Sequence, residues 1–185
     1  MCRDIRRWLD EGKNAVRVSV NLSRKHLMDI DLLKTLLGII DRNGVPHEYI
    51  EIELTETTSY VEFDNLKRIV SGLQQAGVYT SVDDFGIGYS SLNLIREIPW
   101  NVLKVDRCFL PGDDEKGSVT DLMFRHVVTM ALDIGLECIA EGVETPAQID
   151  VLRNYKCRVA QGFFFDRPLP VNEFEKKLDG FCYEI

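Results

Sequence analysis

A (β/α)8 barrel of the TIM type, with about six βα units present, is the fold this sequence predicts, and three observations carry the prediction. Short β-branched or apolar runs alternate with segments of helical periodicity along the whole chain. Several of the helical segments close on a glycine, the residue that tolerates the left-handed conformation of a C-cap. Polar residues gather in or just after the C-terminal halves of the apolar runs, the end of a parallel barrel at which catalytic side chains converge.

The elements follow in order. A helix over Asp4–Glu11 stops at Gly12 and leads into a strand over Val16–Leu22. A helix over Leu32–Arg42 stops before Gly44 and leads into a strand over Tyr49–Leu54. The next helix, Glu62–Gln75, stops before Gly77 and leads into a strand over Val78–Val82. Helices over Ser91–Glu97, Thr120–Asp133, Ala147–Tyr155 and Val171–Leu178 then alternate with strands over Val102–Val105, Leu136–Ala140 and Val159–Phe165. Strands separated by helices imply a parallel sheet, and the connections are too short to hide a second domain. Residues 1–185 are therefore expected to form one domain.

Composition bounds the function. The 185 residues are 45% hydrophobic and 28% charged, which suits a globular core of ordinary size. No apolar run has the length of a membrane span and the first residues have no signal-peptide pattern, so a cytoplasmic protein without membrane contact is expected. The net charge of −8 argues against binding long nucleic acid, which needs a basic surface. Cys2, Cys108, Cys138, Cys157 and Cys182 are odd in number and lack C-x-x-C spacing, against a disulfide framework or a zinc site.

The segment V-D-D-F-G-I-G-Y-S-S-L, Val82–Leu92, is the most informative. A strand reverses its side chains at every residue, so aiming both Asp83 and Asp84 at one pocket requires the backbone to leave strand geometry there. Gly86 and Gly88 permit a turn, and Ser90 is placed to cap the following helix. An Asp-rich turn with a cap explains this string taken alone. Its company does not fit that explanation: Asn21, Glu53 and Glu56, Lys104 and Asp106, Glu141 and Glu144, and Gln161 all lie at the same ends of other strands. Each has a plain reading of its own, as turn former, solvated charge, cap partner or strand-edge amide. Six such groups at one end of six strands do not.

Glu53, Asp83, Asp84 and Glu141, with the amide oxygen of Asn21, make an oxygen-rich set suited to hard cations such as Mg2+ or Mn2+. Carboxylates gathered in a cleft repel one another unless cations neutralise them or their pKa values rise. Two divalent ions per site are expected, because a pair can clamp both the attacking and the leaving oxygen of a phosphodiester. Lys104 would add positive charge beside them.

With these motifs in order, V-N-L-S, E-L-T-E, D-D-F-G-I-G-Y-S-S-L, L-K-V-D, I-A-E-G-V-E-T and Q-G-F-F-F-D-R-P-L-P, the chain resembles the EAL-domain phosphodiesterases, which linearise cyclic di-GMP to pGpG. The resemblance implies that Asn21, Glu53, Asp83, Asp84 and Glu141 bind or organise the metals, with Asp83 bridging them. It implies that Lys104 contacts the attacking water and gives Glu141 either a ligand or a general-base role. It makes Glu56 the anchor of the loop after Asp84, and places Asp106, Glu144 and Gln161 beside the substrate or behind the ligands.

Three departures accompany the match. The family's E-A-L segment, with a metal-binding glutamate and a nearby phosphate-contacting arginine, belongs upstream of V-N-L-S and is outside this chain. The chain is accordingly expected to be the C-terminal three quarters of an EAL domain lacking the first strands, impaired in hydrolysis by itself and prone to self-association. Ile87 stands where the family has threonine, in the loop through which its members form homodimers, and Phe163 stands where it has tyrosine. Hydrolysis of cyclic di-GMP is the expected function. A non-catalytic cyclic di-GMP receptor and an interaction module on the same scaffold are the alternatives.

Overall fold

A computed structural model of the chain describes residues 1–55, 60–86, 92–113 and 115–180. Among them, six strands form one sheet in the order β1-β2-β3-β4-β5-β6, every neighbouring pair parallel. The strands are β1 (Val18–Asn21), β2 (Ile50–Thr55), β3 (Tyr79–Phe85), β4 (Val102–Val105), β5 (Glu137–Ala140) and β6 (Val159–Ala160). Helices α1 (Cys2–Asp10), α2 (Leu32–Arg42), α3 (Tyr60–Gln75), α4 (Leu92–Glu97), α5 (Val119–Asp133), α6 (Pro146–Tyr155) and α7 (Val171–Phe174) alternate with them. The result is a half-barrel of six parallel strands with helices on its outer face.

Strand alternation builds the core. Ile50, Ile52, Leu54, Val82, Leu103, Val105, Cys138 and Ala140 belong to one buried cluster. They meet Leu66, Ile69, Val70 and Leu73 of α3, Phe124, Val128 and Ala131 of α5, and Ile149 and Leu152 of α6 in that cluster. The residues between them, Glu51, Glu53, Ser81 and Lys104, are also buried, although they are polar. A half-barrel that buries charge on its concave face needs internal partners for it.

Arg17, one residue before β1, supplies them at the N-terminal end of the strands. Its Nε contacts Glu51 Oε2 at 2.8 Å, its Nη2 pairs with Glu137, and its guanidinium lies 4.2 Å from the centre of the Tyr79 ring. In a flat sheet, β1 and β5 would stand about 19 Å apart, four spacings of about 4.8 Å. No arginine side chain bridges that gap. The contact of Arg17 with Glu137 therefore reports the curl of the sheet.

The outer layer also joins the two ends of the chain. Trp8 of α1 packs on Phe174 of α7 at 5.7 Å between ring centres, its Nε1 donates to Glu175 at 2.9 Å, and Arg7 pairs with the same carboxylate. Local signals set the helix ends. Thr145 and Gln148 form a reciprocal capping box at the start of α6, with Pro146 in the first helical position, and Ser118 caps α5.

Three elements differ from the sequence reading by more than two residues. The strand expected over Val159–Phe165 ends at Ala160, because Gly162 turns so close to the backbone of Val143 that a Cβ there would collide with it. Val143 N–H then donates to Gln161 O, and Phe164 N–H to Val143 O, so these residues pair outside strand geometry. The strand expected to end at Val82 continues to Phe85. The final helix is regular only to Phe174, short of the expected Leu178. Glu56, Ile87, Gly88, Ser90 and Cys182 lie outside the described residues.

Replacing Arg17 with Met strips the buried Glu51 carboxylate of its partner and is expected to destabilise the fold by about 3–5 kcal/mol in denaturant unfolding. Adding Glu51→Leu should return most of that loss. A single variant as stable as the parent would show that the cross-sheet pair contributes nothing.

Candidate active site

The site is built at the C-terminal ends of β2 to β5. Alternation along β2 puts Glu53 on the concave face between the core residues Ile52 and Leu54. Alternation along β4 does the same for Lys104 between Leu103 and Val105. Glu141 directly follows β5, whose Ala140 faces the core. The curl of the sheet makes these three side chains meet. Lys104 Nζ pairs with Glu53 Oε1 and lies 3.2 Å from Glu141 Oε1, and Gln161 Nε2 donates to that same Glu141 oxygen.

The paired aspartates enter through a bulge. Between Val82 and Phe85, β3 advances three residues while β4 advances two, from Leu103 to Val105. The extra residue is accommodated at Asp84, whose φ is +56°, and Asp84 N–H donates to Asp83 Oδ1 at 3.0 Å. The departure from strand geometry that the sequence demands is therefore present, but Asp84 itself adopts the left-handed conformation. Gly86 beyond it has a φ of +108°, and a Cβ there would run into the Phe109 ring.

The electrostatics reflect crowding. Burial raises the Asp83 carboxyl above the ordinary range; the Lys104 charge opposes the rise, and Glu53 and Asp84 reinforce it. Burial likewise raises Glu141, with Lys104 opposing and Asp83 and Glu53 reinforcing. Burial by itself would depress the Lys104 ammonium, but its hydrogen bond to Glu53 and the charges of Glu141, Glu53 and Asp83 outweigh it and hold the group above the usual lysine value. Lys104 is a permanent cation. Glu141 is a carboxylate with increased proton affinity.

The other candidates surround this centre. Asn21 is exposed at the end of β1, paired in register with Glu53. Asp106 accepts from Cys108 N–H at 2.8 Å, and Glu144 is exposed at the entrance to α6. A cavity of about 980 Å³ opens beside them, lined in part by Asp106, Arg107, Glu141, Glu144, Gln161 and Phe163. Asp113 accepts at 2.8 Å from Oγ1 of Thr145, next in sequence to Glu144. Arg24 and Arg107 also follow strands directly, after V-N-L-S and V-L-K-V-D, and neither is among the candidates above.

The donor chemistry fits a hard divalent cation, since the clustered groups are carboxylate oxygens whose proton affinity is raised by burial and further by one another's charge. Among the described residues, no three carboxylates already converge as a cation cage, and Lys104 holds Glu53 and Glu141.

The chain matches the EAL domain family over residues 1–168. It is 35% identical over 184 residues to the cyclic di-GMP phosphodiesterase NbdA of Pseudomonas aeruginosa, a match covering 99% of this chain and 23% of that protein. The chain thus spans about a quarter of the length of that curated relative. The crystal structure of the EAL domain of Mycobacterium smegmatis DcpA superposes with a TM-score of 0.87 at 29% identity, covering 96% of this chain and 79% of that one. Klebsiella pneumoniae BlrP1, in complex with manganese and cyclic di-GMP, superposes with a TM-score of 0.76 at 29% identity over 90% of this chain and 42% of that one.

The raised carboxyl of Asp83 penalises the folded state once it ionises. That penalty is absent below the ordinary carboxylate range and is fully present above the raised folded value. In chelator, Asp83→Asn is therefore expected to raise the melting temperature at pH 7, with the gain shrinking as the pH falls to 4. A gain independent of pH would exclude charge crowding as its cause.

Proposed function

Because this chain belongs to the EAL domain family, we propose that it carries the catalytic carboxylates and lysine of a phosphodiesterase that hydrolyses cyclic di-GMP to linear pGpG with two Mg2+ or Mn2+ ions. One observation supports this most strongly: Glu53 and Glu141 meet on Lys104 at the C-terminal end of a parallel sheet, with Asp83 and Asp84 brought alongside by a bulge. Asn21, Glu53, Asp83, Asp84 and Glu141 would hold the ions, with Asp83 shared between them. When bound, such ions neutralise the carboxylates, activate water and stabilise the charge of the phosphodiester.

The chain's own groups do the rest. Glu141, oriented by Gln161 and Lys104 on one oxygen, serves either as an ion ligand or as the base that takes the proton of the attacking water, and its raised proton affinity suits the second role. Lys104, fixed and permanently charged, stabilises the negative charge that develops on the phosphoryl oxygens. Asp106, Glu144 and Gln161 border a cavity that would take part of the dinucleotide. Glu56 would anchor the loop after Asp84. No position in this set has lost its carboxylate or lysine, which favours an enzyme over a receptor.

Chromatographic separation of cyclic di-GMP from pGpG, on the longest natural protein that contains this chain, tests the proposal. Cleavage is expected with Mg2+ or Mn2+ and not with EDTA. Asp83→Asn should abolish it while preserving the fold. Lys104→Ala should lower kcat by about 10²–10³-fold with less effect on KM. Tight binding of cyclic di-GMP without turnover would make the domain a receptor, and an unchanged kcat with a raised KM would reassign Lys104 to binding.

A further inference from the structure

Arg24 opens the short 3-10 turn Arg24–His26 after β1 and is half-buried. Its Nε donates to Thr55 Oγ1 at 2.9 Å. Thr55 ends β2, two residues beyond Glu53 on the same face, and is in register with Asp83 of β3. The guanidinium is therefore tethered on the acidic rim of the site, one strand away from the paired aspartates.

Among the described residues its hydrogen bonding is incomplete. A guanidinium has five N–H donors, and the bond to Thr55 uses the single one on Nε. Among the described residues, no carboxylate pairs with the two Nη groups. By contrast, Arg6 pairs with Asp10, Arg7 with Glu175, and Arg17 with Glu51 and Glu137. An arginine held at Nε with an open Nη edge is prepared for a two-pronged contact with a phosphate or carboxylate oxygen pair, and the tether reduces the side-chain freedom lost on binding.

Position selects the ligand group. Lys104 is already engaged by Glu53 and Glu141 on β2 and β5, so the chemistry lies toward the middle of the sheet. Arg24 stands at the β1–β2 side. A cyclic dinucleotide carries two phosphodiesters on opposite sides of its macrocycle. We propose that Arg24 is a phosphate clamp that holds the phosphodiester not being cleaved, and so orients the other toward Glu141 and Lys104. This inference rests on the phosphodiesterase reading for its ligand and on the Thr55 tether for its geometry.

The test uses the same natural protein with Arg24→Gln, Arg24→Lys and Thr55→Val. Calorimetric titration of cyclic di-GMP in Ca2+ should show about ten- to hundredfold weaker binding for Arg24→Gln, an intermediate loss for Arg24→Lys and a smaller one for Thr55→Val. In turnover assays the loss should fall on KM more than on kcat. Independently of turnover, the Arg24 Nε–H resonance should move when inorganic phosphate is titrated into the wild type. Unchanged affinity and KM in Arg24→Gln, with no phosphate-induced movement, would overturn the clamp and leave the phosphodiesterase reading standing. Movement with phosphate in a wild type that neither binds nor cleaves cyclic di-GMP would keep the anion clamp and overturn that reading. A wild type silent in every assay would overturn both.

Discussion

The concave face of this half-barrel gathers acid, and the single ammonium of Lys104 makes that gathering tolerable. Strand alternation directs Glu53 and Lys104 away from the helices, and the sheet's curl makes them converge with Glu141. Without a cation among them, three ionised carboxylates in a sheltered site would be strongly disfavoured. The lysine only partly answers the charge, because Asp83 and Glu141 remain raised in spite of it. That residual negative charge is the physical reason the same residues suit hard divalent ions. A site satisfied internally would have little left with which to bind them.

The opposite end of the strands solves the same problem permanently. Arg17 holds Glu51 and Glu137 together and stacks on Tyr79, so charge is paired at both ends of the interior. Among the described residues, one Glu51 oxygen and the Ser81 hydroxyl are buried without a hydrogen-bond partner. Apolar layers usually fill a parallel barrel, and a buried ion pair is seldom more stabilising than such packing. Its consequence here is geometric: the Arg17 to Glu137 contact exists only at one curvature of the sheet. Curvature in turn decides whether Lys104 reaches both of its glutamates. The pairing at the base and the site at the rim thus depend on one shape.

Most of this architecture was legible in the sequence because its causes are local. Alternation and helical period place β2, β4, α2 and α6 nearly to the residue, and the demand that two adjacent aspartates share a pocket anticipates the bulge at Asp84. The candidate residues were reached by one positional rule, and Glu53, Lys104, Glu141 and Gln161 do form one connected group. What was not legible is non-local. Nothing in the run V-R-V-S-V announces that Arg17 pairs with a residue 120 positions later, and the strand-end rule looks away from that end of the sheet. The early end of β6 depends on how closely Gly162 approaches Val143, a fact about a neighbouring strand. Arg24 escaped because arginine after a strand reads as a solvated charge until Thr55 is seen to hold it.

The same non-locality governs when the site can exist. Lys104 and Glu53 are 51 residues apart, and Phe174, which lines the cavity, packs on Trp8 near the other end of the chain. No sub-segment of the chain contains a working set of ligands. Any ion or phosphate that binds here therefore binds the folded chain almost exclusively, and its binding free energy adds to folding stability in proportion to the logarithm of its concentration. A divalent cation bound among these carboxylates would relieve the crowding that weakens the fold, so stability and cation affinity would draw on the same charges.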